Sequence, residues 1–306
     1  MRFWVGITDV DWYQQLSRLR PDEVNFWQPS AVRMPVALPV GAPFLFKLHA
    51  AAGGTVVGGG FVAHHTTLPV RLAWDAFGEK NGTASLEAMT ERIAHYRRAA
   101  IDPETHYIGC YVLTQPFFFD RAVAIPAPPD WARGIQQGRT YDTEAAAGAV
   151  LWQAVEAARA AFADGPPVVS EVSARYGAPT LVTPRLGQGS FRVIVTDAYA
   201  RRCAVTGERT LPVLEAAHIR PYSQSGPHDV ANGLLLRTDL HTLFDRGYIT
   251  VSPDLTVKVS RRIRDEFENG RDYYAFDGRA IATPRPGFTP PRRDYLEWHG
   301  DTVFRA

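Results

Sequence analysis

The chain has 306 residues, 45% of them hydrophobic and 21% charged, with a formal net charge of +1. That length and apolar content exclude a disordered chain and suffice for two separate cores, while the near-neutral charge excludes an overall basic field as the means of meeting nucleic acid. With only Cys110 and Cys203, a disulfide framework and a four-cysteine zinc site are excluded as well.

The first half reads as strands interrupted by helices. Strands are predicted where β-branched and aromatic residues concentrate, at Arg2–Thr8, Phe44–His49, Val56–His64 and Tyr107–Thr114; helices are predicted at Asp11–Leu19 and Ser85–Arg98. Residues Glu144 to Phe162 are alanine-rich and place Val150, Leu151, Val155 and Ala158 on one helical stripe, which Gly165-Pro166-Pro167 ends. An extended run from Tyr176 to Arg185 then leads into Phe191–Tyr199, apolar enough to help pack a C-terminal core. The expected division is 1–142, a helical and extended linker at 143–190, and 191–306. There is no internal repeat and no low-complexity tract. Paired arginines (Arg97-Arg98, Arg201-Arg202, Arg261-Arg262, Arg292-Arg293) suit phosphate, but such pairs are ordinarily solvated surface. No basic-plus-apolar leader and no apolar run of membrane-spanning length is present, so the expectation is a cytoplasmic protein with no membrane partner.

The chemistry concentrates in the last third. Glu215-Ala-Ala-His218-Ile219 reads as a short strand, followed by a polar loop with Gly226 and Pro227. Asn232-Gly233 opens a second apolar strand, Leu234-Leu235-Leu236, and Asp239-Leu-His241-Thr-Leu-Phe-Asp245 starts a helix. His241 and Asp245, four apart on that helix, project from one face. A strand, a strand and a helix in this order fold around one divalent metal. The pattern resembles the HNH (ββα-metal) endonucleases, in the branch that reads roughly EAAHI…NGLLL…DLHxLFD.

That resemblance implies phosphodiester hydrolysis. A phosphodiester repels its nucleophile and has a poor leaving group; one metal ion addresses both, and a neutral imidazole activates water near pH 7. The resemblance gives His218 the role of general base, Asn232 the task of fixing the loop and orienting that imidazole, and His241 a place in the catalytic set. His241 and Asp245 are the expected ligands for Mg²⁺, Mn²⁺ or Ni²⁺. The chain departs from the family at Ala217, where many HNH nucleases carry a metal-binding Asp or His; Asp245, Glu215 and Asp239 are the candidate substitutes. Many relatives also carry a CxxC before the histidine strand, but here Cys203 is followed by Thr206, which disfavours a structural zinc.

The N-terminal half carries Phe3-Trp4-Val5-Gly6-Ile7-Thr8, then Gly41-Ala-Pro43-Phe44-Leu45-Phe46-Lys47, then Val56-Val57-Gly58-Gly59-Gly60-Phe61. In element order and in these strings it resembles the PUA superfamily of β-barrels (EVE, YTH, ASCH and SRA types), many of which hold a flipped-out base. A flipped base needs aromatic walls and a few polar contacts, and five of the seven tryptophans (Trp4, Trp12, Trp27, Trp74 and Trp131) lie in this half. Trp4, on an apolar strand, reads as core. Trp12 and Trp27, beside polar neighbours at element ends, are the candidate base-binding residues. The run Gly58–Gly60 admits either a close approach of backbone or ligand or a barrel bend.

The expected fold is therefore α+β: a PUA-like β-barrel with helices, joined to a C-terminal ββα-metal domain. A base-flipping reader fused to an HNH cutter implies modification-dependent restriction, with double-stranded DNA carrying modified cytosine as the partner. A general HNH nuclease or nickase, and a non-catalytic DNA binder with a decayed metal site, are the alternatives. One HNH site cuts one strand, so a double-strand break calls for a homodimer or two visits. The helix at 144–162 serves either as a dimer contact or spacer, or as an intramolecular helix packed between the domains.

Overall fold

Alternation along the first strand sends Phe3 and Val5 to one side and Trp4 to the other, and all three are buried. A sheet covered on both faces follows. The computed structural model describes residues 1–31, 38–163 and 181–306, which form two compact units, Met1–Arg185 and Leu186–Ala306.

The N-terminal unit contains β1 (Arg2–Thr8), α1 (Val10–Leu19), β2 (Glu23–Gln28), β3 (Pro43–Leu48), β4 (Val56–Pro69), α2 (Val70–Phe77), α3 (Leu86–Arg97), β5 (Tyr107–Phe118), β6 (Gly138–Asp142) and α4 (Ala146–Ala163). The strands form one mixed sheet in the order β2-β5-β4-β3-β1-β6, parallel only between β1 and β3. Among the described residues, the PUA-like barrel expected from the strand strings is a six-stranded sheet with β2 and β6 at the two ends of its strand order. One face packs Trp4, Phe26, Phe44, Phe46 and Tyr111 against Trp12, Tyr13 and Leu16 of α1. The other packs Phe3, Val5, Leu45 and Tyr141 against Leu151 and Val155 of α4. Helix α4, expected within a linker, is therefore part of this unit's core. The Gly165-Pro166-Pro167 stop and the first half of the Tyr176–Arg185 run lie outside the described residues.

The glycine run on β4 is accounted for by its neighbours. A Cβ on Gly59 would lie 2.8 Å from the Phe44 carbonyl oxygen of β3 and 2.7 Å from the Phe117 ring of β5. Strand against strand, rather than a ligand, occupies that space.

The C-terminal unit contains α5 (Gln188–Ala198), β7 (Leu214–His218), β8 (Gly233–Arg237), α6 (Thr238–Asp245), β9 (Ile249–Val251), β10 (Val257–Val259), α7 (Arg262–Phe267), α8 (Arg271–Tyr274) and α9 (Arg293–Thr302). β7 and β8 pair antiparallel from Leu214↔Arg237 to His218↔Gly233, and α6 follows β8 without a break. Phe191 and Val195 of α5, Leu234, Leu235 and Leu236 of β8, and Leu240 and Phe244 of α6 share one core. All three leucines are buried, the signature of a strand covered on both sides. This core fixes the ends of β7 and α6, the two elements that carry the chemically relevant side chains.

Candidate active site

His218 ends β7 and is half-buried, with its ring stacked on Phe191 (centroids 3.8 Å apart, planes 12° apart). Its Nε2 lies 2.9 Å from Nδ1 of His228, so one of these nitrogens donates and the other accepts. Tyr222 covers the His228 ring in a near-parallel stack (4.7 Å, 10°). No hydrogen bond engages Nδ1 of His218 among the described residues. Burial pushes the His218 imidazole down to about 4, with the neighbouring His228 and His241 acting in the same direction. At neutral pH the ring is uncharged, the form that accepts a proton.

Asn232 is fully buried at the foot of β8. Its Oδ1 accepts from the Arg220 amide (2.9 Å), and its Nδ2 donates to the carbonyls of Arg220 and Pro227 (both 2.9 Å). The amide therefore fixes the loop, as the resemblance implied, but it does not touch the His218 ring; that ring is held by His228 and Phe191. The loop turns tightly at Gly226, where a Cβ would lie 1.8 Å from the Arg220 carbonyl oxygen.

His241 and Asp245 meet on α6 as their spacing predicts, with Nε2 3.4 Å from Oδ2. The other ring nitrogen, Nδ1, is 2.7 Å from Oε2 of Glu215. A carboxylate only accepts, so Nδ1–H donates; in the neutral ring Nε2 then carries the lone pair, on the Asp245 side. Burial pushes the Asp245 carboxyl up; His241 opposes the shift and Glu215 adds to it. Ala217 is fully buried opposite Leu234 and faces the core, whereas Glu215 reaches His241. Asp239 is taken up elsewhere, with its Oδ1 2.9 Å from Nε of Arg237.

Among the described residues no group of three or more His, Cys, Asp or Glu side chains is arranged to hold an ion together. The donors nevertheless suit a divalent cation of the Mg²⁺, Mn²⁺ or Ni²⁺ kind: the imidazole nitrogen of His241 and the carboxylate of Asp245 would hold it, with the Glu215 carboxylate behind the far ring nitrogen. His218, Glu215, His241 and Asp245 line one cleft of about 570 Å³, together with Phe191 and Tyr222.

The tryptophans separate. Trp12 is only 4% exposed, with edge-to-face contacts to Phe26 and Phe46 and the chain at Gly82 against its pyrrole ring. Burial among these neighbours makes it a core residue, not an open wall for a base. Trp27 is half-buried, donates from Nε1 to the Asn81 carbonyl (2.9 Å) and meets Tyr96 edge-on. Sequence reasoning passed over His228 altogether; the turn at Gly226-Pro227, which bends the loop back toward β7, was the available signal.

Residues 203–252 match the family model described as HNH endonuclease. This segment runs from Cys203 through β7, β8, α6 and β9, and contains every side chain that lines the cleft except those of α5, His299 of α9 and Val303. The C-terminal unit carries an HNH endonuclease domain, and the chain is accordingly a nuclease. No curated protein matches the chain. Among solved structures, the ASCH protein from Zymomonas mobilis is 11% identical, covering 49% of this chain and 94% of its own with a TM-score of 0.34. The modification-dependent TagI restriction endonuclease is 14% identical, covering 92% of this chain and 75% of its own with a TM-score of 0.27. No helix among the described residues is long and apolar enough to cross a membrane.

A buried histidine, His299, is expected to make the unit acid-sensitive. His299 of α9 donates from Nε2 to the Phe244 carbonyl (3.2 Å), accepts from the Thr250 hydroxyl at Nδ1 (2.8 Å) and is 2% exposed. Burial pushes it down to about 4 from an ordinary 6.5. The unfolded chain therefore takes up this proton first, so its stabilising contribution is complete above pH 6.5 and is lost as pH falls toward 4. His218 acts in the same sense. The urea midpoint of the C-terminal transition should drop between pH 7 and pH 5, and His299→Gln should flatten that slope. A midpoint independent of pH over this interval would contradict the assignment.

Proposed function

We propose that this nuclease hydrolyses DNA with His218 as the general base and with a divalent metal held by His241 and Asp245. We propose further that the N-terminal unit directs it to duplexes carrying modified cytosine. The observation that carries the catalytic reading is that His218, with Nδ1 unengaged, opens into the same cleft as the His241–Asp245 pair. When bound, the metal neutralises the phosphate and stabilises the leaving oxygen. The chain's own contributions are then separable. His218 takes the proton of the attacking water, Phe191 and His228 fix its ring, Asn232 ties down the loop, and Glu215 holds the tautomer of His241.

The specificity reading is supported by the resemblance of the Gly41–Lys47 and Val56–Phe61 strings to PUA-superfamily barrels, and Trp27 is the aromatic residue kept for the base pocket. Flipping a base costs a few kcal/mol, which stacking and edge contacts must recover. The test is the affinity of His218→Ala protein for two otherwise identical duplexes, one with 5-methylcytosine and one without. The methylated duplex should bind more tightly, and Trp27→Ala should weaken that binding by about 1–3 kcal/mol. Trp12→Ala should instead lower the melting temperature of the N-terminal unit. Equal affinity for the two duplexes would remove the reader and leave an HNH nuclease. With one HNH site per chain, duplex breakage takes a homodimer or two successive visits, and the ratio of nicked to linear product distinguishes them.

A further inference from the structure

The general-base reading leaves one requirement unmet. A neutral imidazole carries its proton on one nitrogen, and a base must present the bare one to water. His218 lines the cleft with Nδ1 unengaged, so it is base-ready only when its proton sits on Nε2. The sole hydrogen-bond partner of Nε2 among the described residues is Nδ1 of His228, at 2.9 Å. Between two neutral imidazoles that contact admits two arrangements. If His228 donates, His218 Nε2 is the acceptor and Nδ1 holds the proton, so the ring faces the cleft as a donor. If His228 accepts, His218 Nε2 donates and Nδ1 is bare.

We propose that His228 is a positioning residue for strand cleavage: it accepts the Nε2–H of His218 and so holds that ring in the tautomer whose bare Nδ1 faces the cleft. The inference rests on His218 being the general base. Three further observations bear on it. In this arrangement both rings carry their proton on Nε2, the intrinsically preferred tautomer of neutral imidazole. The His228 ring is held from outside by the parallel stack with Tyr222, and the His218 ring from inside by Phe191, so the contact joins two rings that are each already clamped. Finally, the turn at Gly226 and the Asn232 bond to the Pro227 carbonyl fix the chain immediately before His228. When His218 gains a proton at Nδ1, its Nε2–H becomes a charge-assisted donor to the same acceptor, so the contact strengthens as the reaction proceeds.

Two readouts on the full-length protein test this. Long-range ¹H–¹⁵N correlation spectra of the histidine side chains report the tautomer without reference to activity. The parent should show His218 protonated at Nε2, and His228→Ala should show a mixture. Cleavage of cytosine-methylated plasmid with Mn²⁺ gives the second readout. Groups that orient a metal-ligating imidazole typically contribute 10–100-fold, and His228→Ala, which removes the same kind of support from His218, should lose roughly that factor in kcat with KM and melting temperature unchanged. His228→Phe keeps the stack on Tyr222 without an acceptor and should behave like the alanine variant. His228→Asn restores an acceptor close to the Nδ1 position and should recover most of the rate. A parent His218 protonated at Nδ1, a phenylalanine variant as active as the asparagine one, or an alanine variant at the parental rate would each overturn the proposal. If His218→Ala cuts at the parental rate, the general-base reading fails; if it is inert while His228→Ala is normal, only the positioning role fails.

Discussion

Alanine at His218 should stop DNA cleavage while leaving the fold and the affinity for DNA in place. Loss of a general base typically lowers the rate by on the order of 10²–10⁴. The side chain ends its strand in the cleft, and removing it also removes a group that takes up a proton on unfolding, so the fall in stability between pH 7 and pH 5 should become shallower. The check is single-turnover cleavage of a labelled duplex alongside thermal melting and a binding titration. Parental cleavage by this variant would discard the active-site assignment.

Metal is the second large effect. EDTA should silence the enzyme, and His241→Ala should weaken Mn²⁺ binding measured by calorimetry. Residues that only stand behind a metal ligand already contribute about 10–100-fold, and a ligand itself should cost at least as much. The same logic sets the order among the carboxylates. Asp245→Asn, on the open Nε2 side of His241, should cost more than Glu215→Gln, which loses the charge behind Nδ1 but keeps a side chain able to hydrogen-bond. Asp239→Asn should leave metal affinity unchanged, because Arg237 occupies that carboxylate. Unchanged Mn²⁺ affinity in His241→Ala would move the metal elsewhere.

The elements around the cleft were legible because their signals are local. Leu234-Leu235-Leu236 between Gly233 and a polar helix start can only be a short buried strand, and four-residue spacing alone brings His241 beside Asp245. β1 and helix α3, whose N-cap Ser85 accepts from the Ala88 amide, were legible for the same reason. What stayed hidden depends on the chain folding back on itself. His228 acquires meaning only when the Gly226 turn returns it to β7, and no period or spacing encodes that. The Asn232 amide is consumed by loop carbonyls rather than by an imidazole, a choice made by where Arg220 and Pro227 come to lie. Trp12 has Asp11 as its neighbour in sequence but Phe26, Phe46 and Gly82 as its neighbours in space, so its burial is a tertiary outcome. Glu215 is one of three substitutes for the ligand missing at Ala217; the partners each carboxylate finds in space separate them, with Glu215 on Nδ1 of His241, Asp245 on its Nε2 side and Asp239 on Arg237.

The most direct measurement is digestion of one plasmid prepared with and without cytosine methylation, in Mg²⁺, Mn²⁺ or Ni²⁺ and again with EDTA. The account predicts nicked and then linear product from the methylated plasmid alone, appearing only with metal. Equal cutting of both plasmids would keep the nuclease and remove the reader, and intact plasmid under every metal condition would contradict the central claim that this cleft hydrolyses DNA.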